Sequence, residues 1–196
     1  TVQKTDQFNM FIRNKIILYL FLTFIFPHVI FASDGKKSSQ IAIENVNFFE
    51  KKDHFLLTGD VTVTLEETLI NALGKGVTLE FISELQVFTS RAIFPDRIKN
   101  EWKRRASLTY HGITRRYYVK TEKKKVFFES LTQALAKCLS LKDWIFLEKK
   151  YFYTNNKFRV KLSLNIDSLP KPLSLVAVSD PAWKMTTGWV LIDYEE

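Results

Sequence analysis

The stretch KFRVKLSLNI, residues 157–166, alternates strictly between polar and apolar side chains. A period of two residues is typical of a β-strand that has one face against a core and the other in water. We expect the apolar positions to face the core, and they are Phe158, Val160, Leu162, Leu164 and Ile166. This is the most regular alternation in the sequence, and it indicates a mainly β fold.

Less regular alternation marks further strands on both sides of this segment. We expect them at 41–49, 55–65, 77–88, 102–111, 114–120, 144–153, 173–178 and 187–193. Turn residues predict hairpins at 51–53, 111–112 and 155–156, and the alternation slips at 44–45, which indicates a bulge. Seven to nine strands predict an antiparallel β-sandwich or an open antiparallel sheet.

Two segments have helical periodicity instead, and they predict two short helices packed on the strands. The first covers about 65–73, where Thr64 and Glu67 have the spacing of a capping box. The second covers about 130–140. Its apolar residues recur on one helical face, and they are Leu131, Ala134, Leu135, Cys138 and Leu139.

Residues 1–32 are interpreted as a few upstream residues followed by a secretion signal, which has a basic part, an apolar part and a small residue in that order. Arg13 and Lys15 precede an apolar run at 16–26, and Ala32 is a small residue at a cleavage position. We expect cleavage after Ala32 and a periplasmic location. The alternative is an uncleaved membrane tether, although the run is shorter than the ~20 apolar residues of a membrane-spanning helix.

The sequence after the signal indicates one domain. Residues 33–40 are polar and contain serine, lysine and glycine, so we expect a flexible leader there. Residues 41–196 contain no further stretch of linker composition and predict a single β-rich domain. Cys138 is the only cysteine, so this domain must be stabilised without an intrachain disulfide.

Residue types that carry catalysis or bind metals are sparse. His54 and His111 are the only histidines after the signal, and neither has a metal ligand at the required spacing. No nucleophile elbow, phosphate-binding loop or dinucleotide motif occurs. Cys138 lies on the apolar face of a predicted helix, where a buried thiol is inert. We therefore expect no catalytic residue, no cofactor and no metal, and we interpret the chain as not an enzyme.

Basic residues are concentrated in two of the predicted hairpins, and the chain has a net charge of +8. If these hairpins are neighbours, their outer faces form one basic binding face. Its candidate residues are Arg104, Arg115, Arg116, Lys157, Arg159 and Lys161. Such a face suits an envelope protein partner or anionic lipid headgroups, and we expect no nucleic acid for an exported protein. The alternative is a solvated face without a partner.

Two tryptophans near the end of the chain form a candidate aromatic edge for binding. They are Trp183 and Trp189, and they follow the proline-containing segment 169–173. Tryptophans at such a place can also close the end of a sandwich core. Both interpretations stay open on the sequence alone.

Several segments, taken in their order, resemble one bacterial family. They are LEETLINAL at 65–73, LTY at 108–110, YYV at 117–119, FESL at 128–131 and LPKPL at 169–173. The set resembles the family named domain of unknown function 4390, over about residues 41–192. The resemblance implies an envelope protein of Gram-negative bacteria with no assigned activity. It also implies genes that often lie beside a membrane sensor histidine kinase.

Three hypotheses follow for the function. The first is a non-catalytic binding or accessory module in the periplasm, linked to such a sensor kinase. The second is an envelope hydrolase acting on a glycan or a lipid, which needs a carboxylate or histidine lining a cavity. The third is a lipid-carrying β domain, which needs an elongated apolar groove.

Overall fold

The computed structural model describes residues 38–122, 124–142, 144–152 and 155–194. Within these residues, nine strands form two antiparallel sheets, and three α-helices accompany them. The fold is mainly β and sandwich-like, which confirms the predicted fold class. The predicted secretion signal at 1–32 lies outside the described residues.

The smaller sheet has three strands in the order β1-β2-β7. They are β1 (Gln40–Lys51), β2 (His54–Thr64) and β7 (Phe146–Glu148). The tight turn between β1 and β2 lies where it was predicted. The register of this pair shifts between Glu44 and Asn47, which confirms the predicted bulge.

The larger sheet has six strands in the order β6-β5-β4-β3-β8-β9. They are β3 (Leu79–Thr89), β4 (Arg97–His111), β5 (Arg116–Thr121), β6 (Lys125–Phe128), β8 (Lys157–Leu164) and β9 (Val190–Ile192). The hairpin predicted at 111–112 joins β4 to β5. The sequence did not predict β6, because four residues are too few to show a period.

Three helices accompany the sheets within the described residues. They are α1 (Glu67–Gly74), α2 (Leu131–Leu139) and α3 (Lys171–Ser179). Helix α2 buries the apolar face predicted for it and packs on β4 and β5. The thiol of Cys138 lies 3.6 Å from the carbonyl oxygen of Ala106, to which it donates a weak hydrogen bond.

The start of α1 is capped by a residue other than the predicted one. The side chain of Glu66 accepts a hydrogen bond from the backbone N–H of Thr68 at 2.7 Å, so Glu66 is the N-cap. Thr64 was predicted for this role, but it is the last residue of β2 and pairs with Gln40. The N–H of Glu66 also donates to the hydroxyl of Ser39 at 2.9 Å, which fixes the chain just before β1.

Helix α3 replaces the strand predicted at 173–178, so that prediction was wrong. Pro172 stands in the first turn of the helix, where a proline has no N–H bond to lose and its fixed φ is already helical. The two prolines at 170 and 172 therefore begin a helix.

The hairpin predicted between 144–153 and 157–167 does not form. Strand β7 pairs with β2 in the smaller sheet, whereas β8 pairs with β3 and β9 in the larger one. The chain crosses between the sheets at this point, and Asn156 is buried in the crossing. Its amide donates to the carbonyl oxygen of Tyr151 at 2.8 Å, and its own oxygen accepts from Lys99 Nζ at 2.6 Å.

The core lies between the two sheets and under α2. Phe48 of the smaller sheet meets Phe158 of the larger one, with ring centroids 4.8 Å apart, and Phe152 stacks on Phe158 at 4.7 Å. Along β8, the four apolar positions from 158 to 164 are buried as predicted. Ile166 is only partly buried, because the chain has by then entered a single 3₁₀ turn at Ile166–Ser168.

Candidate functional site

A cavity of about 620 Å³ lies beside the core-facing side of β4 and β5. Strand residues, the end of α2 and the residues Ser140, Lys142, Trp144 and Ile145 form its walls. Its lining includes Trp102, Arg104, Lys124, Lys137, Lys142 and Trp144. The volume is that of a site for a small molecule or for a few side chains of a partner.

Strand geometry turns Arg104 toward this cavity. Side chains along β4 point alternately to the two faces of the sheet. Ala106 and Leu108, which lie on the same face as Arg104, are buried. Arg104 lies opposite Ser83 of β3, and its Nη2 donates to the Ser83 hydroxyl at 3.0 Å. The same nitrogen lies 3.5 Å from the carbonyl oxygen of Cys138. An arginine thus occupies an otherwise apolar strand face.

The charge of Arg104 has no counter-ion in the described part of the chain. Its Nε is buried and has no hydrogen-bond partner there, and no described carboxylate forms an ion pair with it. Burial lowers the pKa of Arg104, yet a guanidinium stays protonated at neutral pH. The site therefore holds a largely desolvated positive charge.

Lysines add further positive charge to the lining of the cavity. They are Lys103, Lys124, Lys137 and Lys142. The described acids of the lining are Glu101 and Glu122, and Glu101 lies 3.3 Å from Lys103 Nζ. With Arg104, the described lining carries five basic and two acidic side chains, and one of the five, Lys103, is paired with Glu101 and with Glu84. The remaining basic residues still outnumber the acids, so the cavity favours an anion.

Two tryptophan rings form much of the apolar part of the cavity wall. The guanidinium carbon of Arg104 lies 5.1 Å from the centre of the Trp144 ring, in a cation–π contact. Trp102 lines the same cavity and lies on the same face of β4. A guanidinium fork beside two indoles can hold a carboxylate or phosphate that is joined to a flat or apolar group.

The six basic residues predicted to share one binding face lie in three places. They are Arg104, Arg115, Arg116, Lys157, Arg159 and Lys161. The last three are on the outer face of β8, the face turned away from the core, and Arg104 is on the core-facing side of β4. Arg115 and Arg116 lie at the turn between β4 and β5. This corrects the predicted arrangement, because Arg104 faces the core and β3 lies between β4 and β8, so the six residues do not share one outer face.

The outer face of β3 and β8 carries a polar network that uses the charges of β8. Glu84 accepts from Lys161 at 2.5 Å and from Lys103 at 2.9 Å. Burial alone would raise the pKa of Glu84, but the hydrogen bonds and charges of the two lysines outweigh it and lower the pKa. Arg159 pairs with Asp96 at 3.2 Å. The charges of Arg159 and Lys161 are thus matched by acids.

The two tryptophans of the predicted aromatic edge lie in different surroundings. Trp183 is 1% exposed and belongs to the core, as a residue that closes the end of a sandwich would. Trp189 is 37% exposed and lies on the outer face. Its ring centre is 4.7 Å from Lys161 Nζ and 4.8 Å from the guanidinium carbon of Arg159. The two rings therefore do not form a shared exposed edge.

The sequence prediction missed most of the cavity and the pairing of one exposed pair of lysines. Lys137, Lys142 and Trp144 belong to segments that no periodicity connects to β4. On the outer face, Lys120 lies directly opposite Lys125 across the β5–β6 pair, which could not be foreseen without β6. One signal was available for the cavity, since Arg104 stands at an apolar position of its strand.

The histidines and the cysteine lie outside the cavity lining. His54 and His111 are exposed, and His111 Nδ1 lies 3.2 Å from the hydroxyl of Thr114 in the β4–β5 turn. Cys138 is buried, and burial raises the pKa of its thiol to about 12. Among the described residues, no cluster of histidine, cysteine and acidic side chains could hold a metal ion.

Comparison with known proteins places the chain in a family. In the described part of the chain, none of the helices has the length and apolar character needed to cross a membrane. Neither the comparison with curated proteins nor that with solved structures finds a match. A family model described as a domain of unknown function, DUF4390, matches residues 38–193, which is most of the chain. The chain therefore belongs to the DUF4390 family, as the ordered segments of its sequence predicted.

Proposed function

We propose that this chain is an exported, non-catalytic binding module of the cell envelope, and that its cavity receives an anionic group of an envelope partner protein. The observation that carries the proposal is the largely buried guanidinium of Arg104, which no described acid neutralises. Taking such a charge out of water costs several kcal/mol. A bound carboxylate or phosphate would offset much of that cost through paired hydrogen bonds.

The position of Arg104 also favours binding, because the side chain is held before a ligand arrives. It projects from the middle of β4, donates to Ser83 and lies against Trp144. A cation fixed on a strand loses little conformational freedom when it binds an anion. The site is thus preorganised for an anionic group.

The indoles and lysines around Arg104 define the chemistry of the ligand. Trp102 and Trp144 suit an apolar or flat group, and Lys124, Lys137 and Lys142 suit negative charge. An acidic side chain beside an aromatic one, presented by a partner protein, has both properties. A neutral apolar ligand would leave the guanidinium without a counter-ion.

The compartment in this proposal rests on the sequence of residues 1–32, with their basic, apolar and small-residue order. In the periplasm, the partner would be an envelope protein. The gene neighbourhood that the family resemblance implies makes the outer part of a membrane sensor histidine kinase the first candidate. The acidic segments of such a protein are the surfaces to test against the cavity.

The state of the carboxylates supports the non-catalytic part of the proposal. Glu84 is the one buried carboxylate among the described residues, and two lysines keep its pKa low. A general acid needs a raised pKa, so Glu84 is not prepared for that role. Hydrolysis of an envelope glycan or lipid by the purified chain, if lost in Glu101→Gln and Glu122→Gln, would contradict this part.

Phenyl phosphate, titrated into the full chain, tests the cavity directly. We expect it to change the tryptophan fluorescence, because Trp102 and Trp144 line the site. Benzyl alcohol, which lacks the charge, should bind far more weakly. Arg104→Gln should weaken the binding of phenyl phosphate about tenfold or more, since a charge-assisted bidentate pair is lost.

Arg105→Gln is the matched control for this experiment. Arg105 is the next residue of the same strand, but its side chain lies on the opposite face and is exposed. Its substitution removes the same charge and should leave the titration unchanged. Equal binding of phenyl phosphate by the Arg104→Gln and wild-type chains would overturn the proposal, as would equal losses in both variants.

A further inference from the structure

The connection between β3 and β4 exposes three large apolar side chains close together in the sequence. Ile93 is 89% exposed, Phe94 is 67% exposed, and Ile98 at the start of β4 is 50% exposed. Single exposed apolar residues are common, but three within six positions, two in the loop and one at the start of β4, form a patch. Exposed apolar patches mark surfaces that contact another protein or a membrane when the protein functions.

Basic residues surround this apolar loop tip. Arg91 and Arg97 flank it, and both are exposed. Asp96 is the only acid between residues 87 and 100, and it pairs with Arg159 at 3.2 Å. The exposed charge next to the apolar side chains is therefore positive.

The base of the loop is fixed to the larger sheet. Phe88, the residue before the last of β3, pairs with Ile98 of β4 and with Lys157 of β8. Its ring is buried, and the guanidinium carbon of Arg159 lies 4.5 Å from its centre. Lys157 is exposed beside it and adds a further positive charge. The apolar tip thus projects from a rigid and basic base.

We propose that Ile93, Phe94 and Ile98 insert into the surface of an anionic lipid bilayer, while Arg91, Arg97 and Lys157 contact the headgroup phosphates. Apolar side chains enter the boundary of the acyl chains, and basic residues near them are attracted to anionic lipids. An acidic protein face would match the basic residues, but it would also need an apolar pocket for Ile93 and Phe94, whereas an anionic bilayer offers negative headgroups and apolar acyl chains together. The contact does not involve the Arg104 cavity.

A fluorescent probe attached at residue 94 of the full chain reports the lipid contact of the loop itself. It does not report binding of the vesicles through residues 1–32. The probe is a nitrobenzoxadiazole group on a Phe94→Cys variant, and the control is the same group on Lys75→Cys. Lys75 is exposed and precedes β3, whereas residue 94 follows it, so the two probes lie beyond opposite ends of that strand. Cys138 does not compete for labelling, because it is buried and its thiol pKa is raised to about 12.

The labelled chains are mixed with vesicles of phosphatidylcholine and with vesicles in which phosphatidylglycerol replaces part of it. We expect a blue shift at residue 94, and quenching by spin-labelled lipid, only with the phosphatidylglycerol vesicles. The probe at residue 75 should not respond. Arg91→Gln together with Arg97→Gln should weaken the response at residue 94 about tenfold or more in lipid concentration.

Three outcomes would overturn the proposal. The first is no response at residue 94 with either kind of vesicle. The second is an equal response at residues 94 and 75, which would show contact without preference for the loop. The third is an equal response with both kinds of vesicle, which would remove the role of the basic residues.

Discussion

The guanidinium carbon of Arg104 lies 5.1 Å from the centre of the Trp144 ring, and this contact joins β4 to the segment that follows α2. Arg104 reaches Trp144 from a strand face on which its neighbours Ala106 and Leu108 are buried in the core. The pair therefore places a positive charge where the fold by itself would favour an apolar side chain. Its cost to stability can be measured.

Arg104→Met should stabilise the chain, by about 1 kcal/mol in the free energy of unfolding. Methionine fills a similar volume and removes a largely buried charge that has no described counter-ion. Urea denaturation of the wild type and the variant gives the difference in the free energy of unfolding. The slope of that free energy against urea concentration should be the same for both chains. A variant less stable than the wild type by more than about 1 kcal/mol would mean that the charge supports the fold.

Glu84→Gln should destabilise the chain at neutral pH, by about 1–2 kcal/mol. The carboxylate is buried and accepts from Lys161 and Lys103, and the substitution leaves Lys161 without its acid, whereas Lys103 keeps its contact with Glu101. Glu129→Gln is the control, because Glu129 is largely exposed and lies 3.6 Å from Arg116. Its effect should stay within about 0.5 kcal/mol. Equal effects of the two substitutions would refute the role given to Glu84.

The destabilisation by Glu84→Gln should also depend on pH, in a direction that the pKa fixes. The pKa of Glu84 is lower in the folded chain than its usual value near 4.5. Its contribution to stability is therefore complete above that value and is lost as the pH falls through the folded pKa. Urea denaturation at decreasing pH should show the wild type approaching the variant. A difference that grows as the pH falls would show the opposite sign.

Gly76→Ala should destabilise the chain by about 1 kcal/mol. Gly76 has a φ of +84°, which residues with a Cβ adopt only with strain, although no atom would meet that Cβ within 4 Å. Gly74→Ala is the matched control. It ends α1 with an ordinary φ and equally open space, and alanine there should be neutral or slightly stabilising. Thermal unfolding of both variants separates backbone strain from crowding.

Export predicts a mature chain that begins at Ser33. If residues 1–32 are a cleaved signal, the protein recovered from the periplasm should lack them. Sequencing of its N-terminus after cell fractionation checks this. Recovery from the membrane with these residues present would support the tether instead, and recovery from the cytosol would contradict export.

For strand β8 and helix α2, the sequence by itself determined which side faces the core. In β8, the buried positions follow directly from the alternation of residues 158–164, and in α2 from the spacing of its apolar residues. This succeeded because the direction of a side chain relative to its backbone is a local property with a fixed period. The family followed from the order of short segments along the same chain.

Only the tertiary structure decided which strands pair and what surrounds Arg104. Strand β8 lies next to β3 and not next to β7, because pairing depends on the surface that distant segments bury together and not on the nearest turn. The cavity arises from the same long-range choice, since it needs α2 and Trp144 to meet the core-facing side of β4. The alternation of β4 places Arg104 on the same face as Ala106 and Leu108, but only the fold shows that this face is turned to the core and that it is left open beside Arg104.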